Sequence, residues 1–182
     1  MDKQEKKKHI YIVVSATDSI VSKIIRKVTG DRYAHSSISL QDDLNEMYSF
    51  GRIFPSNPFI GGFVKESVQF GAMKRFRKSE IVVIRLTVDK NKYAEINEYI
   101  KNMYVDRKKY RYNYLGLFLA KLGIHRRKAN CYYCSEFIKE ILDKFDMAEK
   151  DEFGEVVRPV EFLNLKKGEI IYRGRLCDFA PV

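Results

Sequence analysis

The side chains that could do covalent chemistry lie in one short run, Asn130-Cys131-Tyr132-Tyr133-Cys134-Ser135-Glu136-Phe137-Ile138. From Cys134 onward, apolar residues recur at Phe137, Ile138, Ile141, Leu142 and Phe145, the spacing of one α-helical face. Cys134 is on the same stripe, one turn before Ile138, so its sulfur is expected at a helix N-terminus, looking toward the core side. Unpaired N–H groups and the positive end of the helix dipole stabilise a thiolate there. Cys134 is therefore a candidate nucleophile, and the rest of the chain must supply a base.

Imidazole is the usual partner, because it takes the thiol proton and the imidazolium then stabilises the thiolate. The chain has three histidines. His9 starts a strand-like run beside a string of lysines, and His125 falls in a basic, loop-like stretch. His35 lies inside a strand-like run among Ala34, Ser36 and Ser37, small neighbours that let another element approach. A lone strand histidine is more often structural than catalytic. What raises His35 is the coincidence of one interior histidine with one cysteine at a helix start.

A third polar group usually orients the imidazole. Residues 33–40 and 45–50 read as a hairpin turning at Gln41-Asp42-Asp43-Leu44. Directly opposed residues of an antiparallel pair face the same way. An odd loop centred on Asp42 pairs His35 with Ser49, whereas an even loop puts Glu46, Tyr48 and Phe50 on the His35 face. One residue of register swaps the candidates, and periodicity leaves both open.

Several elements must position these groups. Residues 9–15 (HIYIVVS) and 80–88 (EIVVIRLTV) are dense in β-branched side chains and read as buried strands. A helix is expected over 19–28, capped by Thr17 or Asp18 and closed by Gly30, and another from Asp89 to about Val105. Residues 51–62, with two prolines and three glycines, read as a long loop, followed by a short strand over 63–70. Residues 110–122 suggest a helix with an apolar face, 146–157 an acidic connector, and 169–176 a last strand. The expected fold is α+β, one domain over residues 1–182 with a frayed lead at 1–8, its antiparallel sheet packed with helices.

The chain has 182 residues, 45% of them hydrophobic, which excludes a disordered chain. Lys plus Arg is 34 against 24 Asp plus Glu, a formal +10. That balance favours anionic partners or a membrane surface through basic loops, although on charge alone a solvated basic surface explains it better. Three cysteines are too few for a disulfide scaffold and point to a reducing compartment. No apolar run approaches a spanning length and no signal segment is evident, so a cytoplasmic location is expected.

The order of strand histidine, polar residue on the next strand, and late cysteine opening a helix resembles the circularly permuted NlpC-type papain-fold hydrolases, the YiiX-like branch most closely. The residues that carry the resemblance are Tyr33-Ala34-His35-Ser36-Ser37-Ile38-Ser39-Leu40, Met47-Tyr48-Ser49-Phe50-Gly51-Arg52 and Tyr133-Cys134-Ser135-Glu136-Phe137-Ile138. Weaker blocks run from Asn57-Pro58-Phe59 through Gly62-Phe63-Val64-Lys65-Glu66, and over Tyr112-Asn113-Tyr114-Leu115-Gly116-Leu117. The resemblance implies a permuted papain-like fold, Cys134 as nucleophile and His35 as base. It puts the third polar residue at Ser49, where the family more often has His, Glu, Gln or Asn, with Glu46 in reserve. It further implies an amidase, peptidase or acyl-transfer enzyme on a small-molecule, peptide or lipid-type acyl substrate. No cofactor and no metal are expected.

Three other readings compete. Cys131-Tyr132-Tyr133-Cys134 is a CxxC ahead of a helix, as in thiol oxidoreductases, but those enzymes attack with the first cysteine and here helical periodicity begins at the second. Cys131, Cys134, Cys177 and a histidine could hold zinc, but the second closely spaced ligand pair is missing. A non-catalytic basic module would fit the charge and the 12 tyrosines, yet no nucleic-acid motif accompanies them.

Overall fold

The protein was analysed as a computed structural model that describes residues 7–16, 30–54, 57–69, 73–74, 76–121, 123–124, 126 and 128–181. The helix expected over 19–28 lies outside the described residues, as do His125 and most of the lead expected to fray. The strand-forming runs build a six-stranded sheet. Strands β1 (Lys8–Ala16), β2 (His35–Ser39), β3 (Met47–Phe54), β4 (Asn57–Glu66), β5 (Glu80–Val88) and β8 (Gly168–Arg175) lie in the order β4-β3-β2-β1-β5-β8, and every neighbouring pair is antiparallel. Helices α1 (Lys90–Val105), α2 (Tyr114–Lys121) and α3 (Cys134–Lys144) accompany the sheet. Two short strands, β6 (Arg111–Tyr112) and β7 (Cys131–Tyr132), pair in parallel just ahead of α2 and α3. The fold is thus α+β, with helices packed on an antiparallel sheet. No helix among the described residues is long and apolar enough to cross a membrane.

Strand β1 shows why the sheet is buried on both sides. Ile10, Ile12, Val14 and Ala16 face the main core, whereas Tyr11 and Val13 face a smaller cluster with Leu44, Met47, Met73, Ile81, Val83 and Leu176. The main core is closed by Ile96, Ile100 and Met103 of α1 and by Phe137, Ile138, Ile141 and Leu142 of α3. The last four are fully buried, and each contributes about 1.5–3 kcal/mol of transfer free energy. Asp89 starts α1 as the sequence suggests, its carboxylate accepting from the Lys92 N–H at 2.8 Å.

The 51–62 stretch departs from the loop expected there. Most of it belongs to the β3–β4 hairpin, paired from Met47↔Glu66 through Phe54↔Asn57. Pro58 suggests a break, but β4 is an edge strand, where a missing proline N–H leaves no partner unserved. The expected helix over 110–122 also begins later. Residues 111 and 112 are strand, and Asn113 opens α2 by accepting the Gly116 N–H at 2.9 Å.

Two features lock the end of the β3–β4 hairpin to the segments that lead into α2 and α3. Phe137 of α3 packs its ring 5.5 Å from Phe50 and 5.2 Å from Phe63, and Tyr132 of β7 lies 5.0 Å from Phe50. Gly61 meanwhile lets β6 approach closely: a Cβ there would lie 2.6 Å from Tyr112 Cβ, 2.7 Å from the Tyr114 hydroxyl and 3.0 Å from the Gly51 carbonyl oxygen. Neither the backbone oxygen nor a Cβ atom can swing aside. Gly61→Ala should therefore destabilise the protein by about 1–3 kcal/mol, the usual cost of overpacking. Chemical denaturation would measure it, and an unchanged midpoint would show that β6 is not held against β4.

Candidate active site

Cys134 is the first residue of α3, and its surroundings explain why the helix starts there. Tyr133 is the N-cap, in extended conformation at φ −98°, ψ 167°. Its backbone N–H donates to Glu136 Oε2 at 3.3 Å, the reciprocal bond that a Glu at the third helical position makes. Asn113 Nδ2 donates to the same carboxylate oxygen at 3.4 Å, and the Ser135 hydroxyl donates to the Val157 carbonyl at 2.7 Å. The helix start is thereby tied to α2 and to the 157 segment. The thiol is buried at 3% exposure. The first-turn N–H groups of a helix have no intrahelical acceptor, so they bias the site toward negative charge.

His35 is the first residue of β2 and pairs with Ser15 of β1. Its Nε2 lies 3.1 Å from each carboxylate oxygen of Glu66, the last residue of β4. The Ser37 hydroxyl donates to Glu66 Oε2 at 2.5 Å and lies 3.3 Å from His35 Nε2. Strand alternation makes the meeting possible. Met47 opposes both Ser39 and Glu66, so Ser37, His35 and Glu66 share one face across three strands. The register carried on toward the strand ends brings Gly51 opposite His35, and a Cβ on Gly51 would come within 3.9 Å of the imidazole Cε1. The Cys134 thiol completes the set, near enough to the imidazole of His35 for each to shift the other's titration. Ser36 lies beside the sulfur, its buried hydroxyl without a nitrogen or oxygen partner among the described residues.

The electrostatics follow from these contacts. Burial opposes a charged imidazole, but the Glu66 carboxylate and the Cys134 thiol together outweigh it and hold His35 well above its ordinary value of 6.5. Burial likewise pushes the Cys134 thiol up. The hydrogen bond and charge of His35, followed by Ser36, overcome that and bring it below its ordinary 9.0. Glu66 is also pulled up by burial and held down, on balance, by His35 and Ser37. All three directions favour a thiolate–imidazolium pair leaning on a carboxylate. A fourth group stands nearby. Burial, then the charge of Cys134, keeps the Tyr112 phenol well above its ordinary value, so it remains a protonated donor.

Cys134 and His35, the pair singled out by residue type and spacing, are therefore brought together, whereas neither expected third residue joins them. The hairpin has the odd register, but it pairs Ser39 with Met47, so Gly51 and not Ser49 falls opposite His35. Ser49 shares the His35 face, yet its hydroxyl donates to the Ser36 carbonyl at 2.8 Å. Glu46 is engaged by Lys65 Nζ at 2.5 Å and by the Tyr48 hydroxyl. The carboxylate that meets the imidazole is that of Glu66. It was legible only as the next step of an alternation, Gly62-Val64-Glu66, once residues 57–66 are read as a strand. Tyr112 was hidden inside a run read as helix. Cys131 is half-buried on β7, Cys177 is exposed, and both are free. Among the described residues no group of three His, Cys, Asp or Glu is arranged to hold a metal ion.

Comparison with known proteins adds no assignment: no protein-family model matches the chain, and no curated protein matches it either.

The site's pH behaviour separates the two carboxylate-side roles. A lowered thiol pKa beside a raised imidazole pKa widens the range in which thiolate and imidazolium coexist, so alkylation of Cys134 should persist to lower pH than for a free thiol. Glu66→Gln removes the charge that sustains the imidazolium, so the acid limb of the alkylation profile should move to higher pH. A hydrogen bond to a charged group is worth about 1.5–3 kcal/mol, so the rate at pH 6–7 should fall about 10- to 100-fold. Ser49→Ala should cost about 1 kcal/mol of stability and leave the profile in place. A profile that moves with Ser49→Ala and not with Glu66→Gln would reverse the assignment.

Proposed function

We propose that this chain is a cysteine hydrolase or acyl transferase, of the permuted papain-like type that its sequence resembles. The observation that carries the reading is the imidazole of His35 placed beside a buried thiol and a mostly buried carboxylate. That is the arrangement an activated thiol nucleophile requires: nucleophile, base, and a group that orients the base.

In the proposed cycle Glu66 engages Nε2 of His35, so Nδ1 is the nitrogen that takes the thiol proton. The thiolate attacks the acyl carbon of an amide or ester. The resulting oxyanion is stabilised by backbone N–H groups at the start of α3, with the protonated Tyr112 hydroxyl as a second donor. The imidazolium returns its proton to the leaving amine or alcohol, and the acyl group stays on Cys134 as a thioester. Water, or an amine or alcohol acceptor, then attacks with His35 as base, and the thiolate is released. No step calls on a metal or cofactor.

The rival thiol–disulfide reading would assign the reactive role to Cys131, the first cysteine of the CxxC. The imidazole instead adjoins Cys134, and Cys131 shows no comparable partner among the described residues. A purely binding role would leave a buried thiol beside a mostly buried imidazole and carboxylate without purpose.

Iodoacetamide labelling with mass mapping separates the three. Cys134 should react fastest, Cys131→Ala should leave the rate unchanged, and His35→Ala should slow it about 100-fold or more, the scale of general-base contributions. A fast Cys131 would favour redox chemistry, and thiols no faster than a free one would favour binding. Activated esters should then give a Cys134 thioester trapped in the wild type and absent in Cys134→Ala.

A further inference from the structure

A cavity of about 60 Å³ opens directly beside the candidate nucleophile. Its walls are Tyr133, Cys134 and Ser135 at the start of α3, Leu117 and Ala120 on α2, and the 156–159 segment, with Tyr33 and Ala34 ahead of β2. Most of these side chains are apolar. At its rim Arg158 reaches Asp31 at 3.2 Å and Glu161 at 2.7 Å, so the guanidinium is already engaged by two carboxylates. The cavity thus has a hydrocarbon lining and a mouth whose cation is satisfied.

Position decides which part of a substrate belongs there. In acyl transfer the leaving group must lie against the imidazolium that protonates it, whereas the acyl substituent points elsewhere from the carbonyl carbon. The cavity is bounded by Cys134 but not by His35, Ser37 or Glu66. Its occupant is therefore on the acyl side of the scissile bond. A water occupies about 10–15 Å³ of such space, so a cavity of about 60 Å³ admits about four to six heavy atoms.

We propose that this cavity is an acyl-binding pocket that selects a short, uncharged aliphatic acyl group of about four to six carbons. The inference rests on the acyl-transfer reading above and names the substrate class for it. The thiolate forms a C–S bond to the acyl carbon, the C–O or C–N bond to the leaving group breaks, and that group departs with the imidazolium proton. Water then donates its oxygen to the acyl carbon, the C–S bond breaks, and a carboxylic acid leaves.

The test is a series of p-nitrophenyl esters from acetyl through butyryl and hexanoyl to dodecanoyl, read as kcat/KM and as acylation of Cys134 by mass. Each methylene buried in the pocket should raise kcat/KM about fourfold, up to butyryl or hexanoyl, with dodecanoyl falling back. Ala120→Phe fills the cavity from α2 and should bring the hexanoyl-to-acetyl ratio close to one. Leu117→Ala enlarges it and should move the optimum to a longer chain, a change that misfolding cannot mimic. Acetyl ester turned over by Cys134 with no chain-length preference would overturn the pocket and leave the hydrolase reading standing. So would a wild-type preference retained in Ala120→Phe. If no ester of any length acylates Cys134, the hydrolase reading and the pocket fall together.

Discussion

A carboxylate taken out of water is costly, and the whole site is arranged around meeting that cost at Glu66. Its side chain is only 13% exposed, and desolvation of an ion amounts to several kcal/mol unless a partner and hydrogen bonds replace the lost water. Here the replacements are the imidazole of His35 and the hydroxyl of Ser37. The stabilisation runs both ways. The carboxylate makes the imidazole more basic, and the protonated imidazole makes the thiol more acidic. Removing Glu66 would leave the burial of His35 and Cys134 opposed mainly by their contact with each other.

The mechanical counterpart is the way the pieces are held. Glu66 ends an edge strand, His35 begins an inner strand, and Cys134 begins a helix on the sheet. None could find the others by local geometry alone. The rings of Phe50, Phe63, Tyr132 and Phe137 fill the space between hairpin and helix. The side chains of Ser135 and Asn113 and the carboxylate of Glu136 anchor the helix start to its neighbours. Polar bonds set the position along the helix axis, and the aromatic wedge sets the spacing from the sheet.

Much of this was legible in the sequence, and the misses have particular causes. The α3 stripe from Cys134 to Leu142 and the β5 run were plain because long, strongly periodic segments bury a whole face. His35 was found by elimination among three histidines. Glu66 was missed because Pro55, Pro58 and the glycines of 51–62 read as breakers, although an edge strand tolerates proline and Gly61 is there for close approach. The partner of His35 slipped by two residues because the turn is wider than its polar residues suggested. Leu44 adopts φ 54° in that turn while fully buried, and the Ser39 hydroxyl donates to the carbonyls of Gln41 and Glu46. A buried leucine in left-handed conformation is a tertiary outcome, and no local pattern announces it. Tyr112 was lost for a related reason: Asn113 interrupts an apolar run that otherwise looks continuous.

The dependence of the thiol on distant strands has a consequence for the life of the chain. During synthesis Cys134 emerges long after His35 and Glu66, and until β2, β3 and β4 have zipped together it is a thiol like any other. Its electrostatic setting is a property of the finished sheet and not of the cysteine. The chain therefore carries its own safeguard: the thiol meets the imidazole and carboxylate that perturb it only once the core that holds them has closed.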